Sequence, residues 1–219
     1  MMKPLTPFLA LIVTTVAYAE LGDLPLVFEE DFENGHDRWT MTDDAAWELV
    51  DSDGGKALAL HKSSDYEPKV RSPKSIARIA DLNVTDFVIE AKLKQTGREY
   101  GHRDLCVFFG YQDPSKFYYV HMATVADPHA NSIFLVNDEP RVSIAMERTD
   151  GTDWGKPEFH TIRIERDTES GTITVYFDDM TKPIMKAEDK HFTWGSIGFG
   201  SFDDVGHFDN IKIWGTTKE

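Results

Sequence analysis

The segment LCVFFGYQDPSKFYYVHMA, residues 105–123, decides the fold. Two runs rich in aromatic and β-branched residues, 105–111 and 116–123, flank the tetrapeptide QDPS. Such runs favour extended backbone, and Asp followed by Pro is typical of a turn. The segment therefore predicts two strands joined by a tight turn.

The same alternation of short β-rich runs with turn residues recurs along the chain. Its clearest form lies at residues 86–94, where Phe87 and Ile89 alternate with Glu90 and Lys92. This period of two indicates strands rather than helices. Twelve strands are predicted, at residues 26–32, 46–51, 57–61, 86–94, 105–111, 116–123, 132–137, 141–147, 160–166, 171–178, 196–202 and 208–214. The predicted fold class is all-β, a two-sheet antiparallel sandwich or jelly roll.

The N-terminus has the pattern of a secretory signal. Lys3 precedes an apolar run at residues 7–16, and Ala17-Tyr18-Ala19 is a small-x-small cleavage site. The run is too short to span a bilayer. We therefore predict a signal peptide at residues 1–19, a single β-sandwich domain at 20–219, no membrane insertion, and a secreted or periplasmic location.

The net charge limits the classes of ligand, and the cysteine count limits the possible disulfides. The formal net charge of −15 disfavours nucleic acid and anionic lipid as ligands. Cys106 is the single cysteine, so no intrachain disulfide can form. Because Cys106 lies in an apolar strand, we expect its thiol to be buried and inert. We also expect the protein to be a monomer.

Motifs near both ends carry a family resemblance. FEEDF at residues 28–32 followed by Trp39, and GFG at 198–200 followed by FDNIKI at 208–213, resemble the concanavalin A-like lectin and glucanase sandwiches. Residues 159–164 and 172–179 are similar to paired back strands of laminin-G-like modules. The resemblance implies the sandwich fold, and its members include lectins, glycosidases, polysaccharide lyases and protein-interaction modules.

The two chain ends also hold candidate cation ligands. Glu30 shares one strand face with Phe28 and Phe32, and Asp209 leads into the apolar Ile211. A carboxylate on an apolar face is costly unless it is paired or bound to a metal. Family members often hold a structural calcium at this place, which implies Ca²⁺ ligands at Glu30 and Asp209. Partial exposure or pairing with a lysine is the alternative.

A second acidic motif is misleading. Glu29, Asp31 and Glu33 fit the Glu-x-Asp-x-Glu pattern of family-16 glucanases, which would supply a nucleophile and an acid. That motif lies on a central strand with apolar residues between the acids, whereas here it lies on the first strand around Glu30. We predict an exposed acidic edge instead.

The region from 98 to 141 concentrates groups that could act on a ligand. In the strand at 116–123, the period of two places Tyr119 and His121 on one face, about 6.5–7 Å apart along the strand. A phenol and an imidazole beside an arginine suit either sugar binding or proton abstraction next to a carboxylate. The catalytic candidates, if the protein is an enzyme, are Tyr119, His121 and Arg103. The ligand-binding candidates are His102, Tyr111, His129, Asn131, Asn137, Arg141 and Trp154.

Two loops complete this prediction. Trp154 lies among polar turn residues at 150–155, so we expect its ring to be accessible. Residues 126–131 are interpreted as a rim loop over a concave sheet. A transition-metal site made of His121, Asp127 and His129 is a weaker alternative, because no short metal-binding spacing is present.

The leading hypothesis is an exported, lectin-like domain that recognises a polysaccharide on its concave sheet. The alternatives are a glycoside hydrolase or uronate-directed lyase on the same surface, and a laminin-G-like protein-interaction module. The well-known alginate lyase motifs are not found in the sequence.

Overall fold

The structure is a computed structural model that describes residues 24–52 and 54–218. The predicted signal peptide lies outside the described residues. In the described part of the chain, no helix has the length and hydropathy that a membrane span requires.

The described chain consists almost entirely of short strands, with one 3₁₀ turn at Asp44–Ala46. The strands are β1 (Leu26–Glu30), β2 (Trp39–Met41), β3 (Trp47–Ser52), β4 (Gly55–Leu60), β5 (Ser75–Ile79), β6 (Val84–Gln95), β7 (Asp104–Asp113), β8 (Lys116–Ala123), β9 (Ser132–Asn137), β10 (Val142–Ser143), β11 (Glu147–Arg148), β12 (His160–Arg166), β13 (Thr172–Phe177), β14 (Pro183–Glu188), β15 (Ser196–Ser201) and β16 (Gly206–Thr217).

These strands form two antiparallel sheets. The nine-stranded sheet has the order β11-β14-β13-β12-β6-β16-β4-β3, and β1 also pairs with β16. The seven-stranded sheet has the order β10-β9-β8-β7-β15-β5-β2. The predicted all-β sandwich with jelly-roll character is confirmed.

The period of two in β6 explains how the sheets pack. Phe87, Ile89 and Leu93 are buried, while Glu90 and Lys92 are partly exposed. The buried residues join those of the facing sheet in one large core cluster. Burial of a side chain of this size contributes about 1.5–3 kcal/mol, so the alternation itself holds the two sheets together.

Most predicted strands are present, but the one at 141–147 is wrong. Val142–Ser143 pairs with β9 in one sheet, and Glu147–Arg148 pairs with β14 in the other. The chain crosses between the sheets here: the Ile144 N–H donates to the Ile133 carbonyl, and the Met146 N–H donates to the Lys186 carbonyl. Strands β2, β5 and β14 were missed. β14 begins with Pro183 and contains residues that are uncommon in strands.

The seven-stranded sheet is apolar on both faces. One face joins the main core, and the opposite face carries a second buried cluster. This second cluster consists of Ile76, Cys106, Phe108, Phe117, Tyr119, Phe134 and Val136. Val70, from the 61–74 segment between β4 and β5, packs against it. We call the face that carries this cluster the outer face.

A buried arginine ties two chain segments to the end of β12. Arg166 is 1% exposed and donates hydrogen bonds to the carbonyls of Gly171, Asp189 and Phe192, at 2.6, 2.8 and 3.2 Å. A buried guanidinium is tolerated only when its donors are satisfied. The three carbonyls satisfy the buried guanidinium, and Arg166 in turn supplies each of them with a hydrogen-bond donor.

We predict that Arg166→Met lowers the free energy of unfolding by about 3 kcal/mol, because it leaves buried carbonyls without donors. Urea denaturation measures this change. Arg163→Met is the matched control on the same strand, since Arg163 forms a partly exposed ion pair with Glu90, and such pairs contribute about 0–1 kcal/mol. Equal losses in the two variants would contradict the assigned role of Arg166.

Candidate functional site

Tyr119 and His121 lie on the outer face, as the alternation in β8 predicts. The Tyr119 ring stacks against Phe134 at 5.1 Å and Phe108 at 5.8 Å between ring centroids. Its hydroxyl accepts a hydrogen bond from Arg141 Nη1 at 2.8 Å. Burial raises the pKa of the Tyr119 phenol well above its ordinary value, so the phenol is neutral at neutral pH.

His121 faces a buried carboxylate on the neighbouring strand. Its Nε2 lies 3.3 Å from Oδ2 of Asp104, which is fully buried at the start of β7. The same oxygen accepts hydrogen bonds from the Cys106 thiol at 3.2 Å, from Ser201 Oγ at 3.1 Å and from the Phe202 N–H at 3.1 Å. Burial acts to raise the pKa of Asp104, but the charge of His121 and these donors outweigh it, and the pKa is lowered. Asp104 is therefore an ionised group inside the fold.

More carboxylates gather beside Asp104. Asp204 Oδ2 accepts hydrogen bonds from the Tyr100 hydroxyl at 2.6 Å and from the Asp104 N–H at 3.2 Å. Burial, together with the charge of Asp104, raises the pKa of Asp204 to about 6, against the lowering effect of Tyr100. Asp104, Asp203 and Asp204 converge closely enough to form an acidic site that could hold a cation.

The expected open hollow over Tyr119 and His121 is absent from the described structure. Tyr119 is 0% exposed and His121 is 3% exposed. The Arg141 guanidinium lies over the rings of Phe134 and Phe202, at 5.0 and 4.2 Å, and the Arg141 N–H donates to the Arg71 carbonyl in the 61–74 segment. The expectation that Tyr119 and His121 are accessible is therefore wrong, although their shared face is confirmed.

Arg103 and Trp154 also differ from expectation. Arg103 is 5% exposed and donates to the Gly155 carbonyl, not to Tyr119 or His121. Trp154 is 1% exposed, and its indole N–H donates to the Met122 carbonyl at 2.9 Å. The predicted accessibility of Trp154 is therefore wrong. Its neighbours in sequence are polar turn residues, but its own ring packs into the main core cluster.

Two residues of the rim loop at 126–131 contact groups outside the loop. His102 Nε2 lies 2.6 Å from Asp127 Oδ2, and the His129 carbonyl accepts a hydrogen bond from Arg141 Nη2 at 2.9 Å. Among the described residues, two groups of three potential metal ligands converge, and neither contains Asp127 or His129. The transition-metal alternative at His121, Asp127 and His129 is therefore not supported.

The two predicted asparagines occupy opposite environments. Asn131 is fully buried in a left-handed backbone conformation with φ of 50°. Its Nδ2 donates to the Thr149 carbonyl at 3.0 Å, and its Oδ1 accepts from the Thr152 hydroxyl at 2.8 Å. Asn137 is exposed at the end of β9. Asn131 thus anchors a loop, and Asn137 is the one of the pair that a ligand can reach.

We predict that Asn131→Ala lowers the free energy of unfolding by about 2–3 kcal/mol, because it strands a buried carbonyl and hydroxyl and places alanine at a positive φ. Asn137→Ala is the matched control and should leave the thermal midpoint unchanged. Thermal melts followed by circular dichroism measure both variants. An Asn131→Ala protein as stable as the wild type would refute the anchoring role.

The other end of the outer face is more open. The Tyr111 ring is half-buried and stacks on Phe117 at 5.1 Å, and the Arg78 guanidinium lies 5.3 Å from its centroid. Arg78 Nη1 also donates to Ser196 Oγ at 3.3 Å. Tyr66, from the 61–74 segment, is close enough to affect the pKa of Tyr111, which burial raises to about 12. Sequence reasoning missed Arg78 because β5 itself was not predicted.

The chain ends place the two predicted calcium ligands in different settings. Glu30 is 8% exposed, and its oxygens accept hydrogen bonds from the Phe32 N–H at 3.1 Å and the Trp39 indole at 3.3 Å. Burial raises the pKa of Asp209, and the charges of Asp31 and Glu33 add to the effect. Strand β1 ends at Glu30, so Asp31 and Glu33 lie in an exposed turn and not on a strand face.

Comparisons with solved structures identify the class of fold. The carbohydrate-binding module CBM66 from Bacillus subtilis has a TM-score of 0.55 at 18% identity, over 81% of this chain and 95% of that one. Domain 4 of the extracellular arabinanase AbnA from Geobacillus stearothermophilus, in complex with arabinotriose, has a TM-score of 0.56 at 11% identity, over 90% and 95% of the two chains. The winged bean acidic lectin, complexed with methyl-α-D-galactose, has a TM-score of 0.54 at 14% identity, over 88% and 98%.

These similarities confirm the expected jelly-roll type of β-sandwich, the fold shared by these lectin and carbohydrate-binding domains. At such low identity they define the fold and not the ligand. No family model matches the sequence. The search of curated proteins finds no match either.

Proposed function

We propose that this chain is an exported, carbohydrate-binding domain that recognises a polysaccharide on the outer face of its seven-stranded sheet. The observation that carries the proposal is the half-buried Tyr111 ring with the Arg78 guanidinium beside it. The fold is shared with a carbohydrate-binding module and with domains solved with arabinotriose and a galactoside, which supports this class of ligand.

The chemistry of this pair suits a sugar ring. Phe117 and Arg78 already lie against the Tyr111 ring, so a sugar would meet the edge and hydroxyl of the ring and the donors of the guanidinium, which bind hydroxyl or carboxylate oxygens. Both side chains are held in place before a ligand arrives, Tyr111 by Phe117 and Arg78 by Ser196. Such preorganisation lowers the entropy cost of binding.

Local charge extends the proposal to acidic polysaccharides. Although the chain carries a net charge of −15, cations outnumber anions in the 61–74 segment that covers the outer face. Its exposed charged side chains are Lys62, Lys69, Arg71 and Lys74 against Asp65 and Glu67. Arg141 adds a partly exposed guanidinium over Phe202. These cations favour a ligand that carries carboxylates, and they do not exclude a neutral one.

The burial of Tyr119 and His121 favours binding over cleavage. A general acid or base has to lie within hydrogen-bond reach of the substrate proton or one water away. Both rings lie beneath Arg141 and the 61–74 segment. The glycosidase and lyase alternatives would require this cover to move.

We predict that Tyr111→Ala weakens polysaccharide binding about five- to tenfold, because it removes a phenol hydrogen bond to the sugar worth about 1–1.4 kcal/mol. Affinity electrophoresis against neutral and uronate-containing polysaccharides measures the effect. Trp214→Ala is the control, since Trp214 is a half-buried aromatic residue on the nine-stranded sheet. Equal weakening in both variants, or no retention of the wild type on any polysaccharide, would count against the proposal.

We also propose a structural calcium ion between the chain ends, with Asp209 as its central ligand. The raised pKa of Asp209 means that its ionised form is disfavoured beside Asp31 and Glu33, and a bound cation would relieve this repulsion. Glu30 and Asp31 line a surface depression of about 280 Å³ next to the turn, although Asp209 is not part of its lining. Carboxylate and carbonyl oxygens are the ligands that Ca²⁺ prefers. That Glu30 is a second ligand of this calcium ion stays a prediction.

Calcium at a hundred times its dissociation constant is expected to stabilise the fold by about 2.7 kcal/mol. We predict that Asp209→Asn removes this calcium-dependent gain. Thermal melts with Ca²⁺ and with a chelator measure it, and Glu30→Gln tests the second predicted ligand. Identical calcium shifts in the wild type and Asp209→Asn would refute this site.

A further inference from the structure

The buried cluster at the start of β7 contains three side chains of different ligand chemistry. Asp104 and Cys106 are alternate residues of β7, and His121 lies directly opposite Cys106 in the register with β8. All three project from the outer face, where Asp104 and Cys106 are 0% exposed and His121 is 3% exposed. A carboxylate, a thiol and an imidazole are thus enclosed together, away from bulk water.

The distances between their ligand atoms match a small coordination sphere. Asp104 Oδ2 lies 3.2 Å from Cys106 Sγ and 3.3 Å from His121 Nε2, and one ligand atom from each residue lies within 4.8 Å of the others. In a tetrahedral zinc site with bonds of about 2.0–2.3 Å, neighbouring ligand atoms are roughly 3.3–3.8 Å apart. The existing spacings of 3.2 and 3.3 Å lie near the short end of that range.

The cluster also contains polar atoms that the protein leaves unsatisfied. Nδ1 of His121 and Oδ1 of Asp104 have no hydrogen-bond partner among the described residues, and Nε2 of His121 has only its 3.3 Å contact with Asp104 Oδ2. Buried polar atoms are nearly always bonded, and leaving one unpaired costs about 1–3 kcal/mol. A buried imidazole nitrogen and a buried carboxylate oxygen that lack hydrogen bonds in one cluster therefore point to a missing ligand.

We propose that Asp104, Cys106 and His121 bind a divalent transition-metal ion, with zinc as the favoured ion. Thiolate and imidazole are ligands for zinc and related metals, whereas Ca²⁺ and Mg²⁺ are bound by oxygen atoms. Asp203 and Asp204 form a separate group with Asp104, so the fourth position of the metal would be open to an exogenous ligand. The site is independent of the proposed glycan surface at Tyr111 and of the calcium site at Asp209.

The single cysteine makes the test specific to this site. Metal-free protein would be titrated with Co²⁺, which reports thiolate coordination by a charge-transfer band in the near ultraviolet. Because Cys106 is the only thiol in the chain, such a band can arise only from Cys106. The expected result is a band that saturates at one equivalent and is abolished when Zn²⁺ is added in competition.

Three variants locate the remaining ligands. Cys106→Ser and His121→Gln should each abolish the band and the rise in thermal midpoint that Zn²⁺ produces in the wild type. Asp203→Asn is the control for binding at the neighbouring acidic group, and it should keep a thiolate band. Where a core variant fails to fold, the wild-type Co²⁺ spectrum and native mass spectrometry with Zn²⁺ still decide the question.

The outcomes are distinct. Absence of the band in wild-type protein at saturating Co²⁺, or an unchanged band in His121→Gln, would overturn the proposal. Retention on polysaccharide is measured in the metal-free protein, so loss of the metal site leaves the test of the proposed function unaffected.

Discussion

The charge of Asp104 is the constraint on which one end of the seven-stranded sheet depends. A carboxylate that is removed from water must be compensated by donors or by a cation. Here the compensation comes from the thiol of Cys106 on the same strand, from Ser201 and Phe202 at the end of β15, and from His121 on β8. The Asp104 carboxylate thus connects the adjacent strands β15, β7 and β8, and it also fixes the first residue of the loop after β15.

The second constraint is that the seven-stranded sheet is covered on both faces. Its inner face contributes to the main core, and its outer face is covered by the 61–74 segment, by Arg141 and by Phe202. The centre of this sheet therefore supplies rigidity rather than contact with a ligand. Groups that a ligand can reach lie at the perimeter, where Tyr111 and Arg78 are partly exposed.

The pleat of β8 could be predicted from sequence, but its surroundings could not. Alternation within residues 116–123 is a local property, and it placed Tyr119 and His121 on one face correctly. Their burial depends on the polar 61–74 segment, which shows no periodicity and is brought over the sheet only by the tertiary fold. The near-continuous apolar composition of β7 and β8 did contain a signal, since strands that are buried on both faces have such runs.

Trp154 and Arg78 also have environments that local sequence does not reveal. Trp154 was predicted to be exposed and is buried, whereas Arg78 was not predicted to take part in the site and does. The turn residues around Trp154 predicted exposure, yet its indole is held by the Met122 carbonyl, a partner 32 residues away in sequence. Arg78 reaches Tyr111 only because β5 and β7 flank β15. Phe202 is likewise shared between separate groups, because its N–H donates to Asp104 while its ring lies under Arg141. An ion bound to Asp104 would therefore also restrain the aromatic support of Arg141, near the opposite end of β7 from Tyr111.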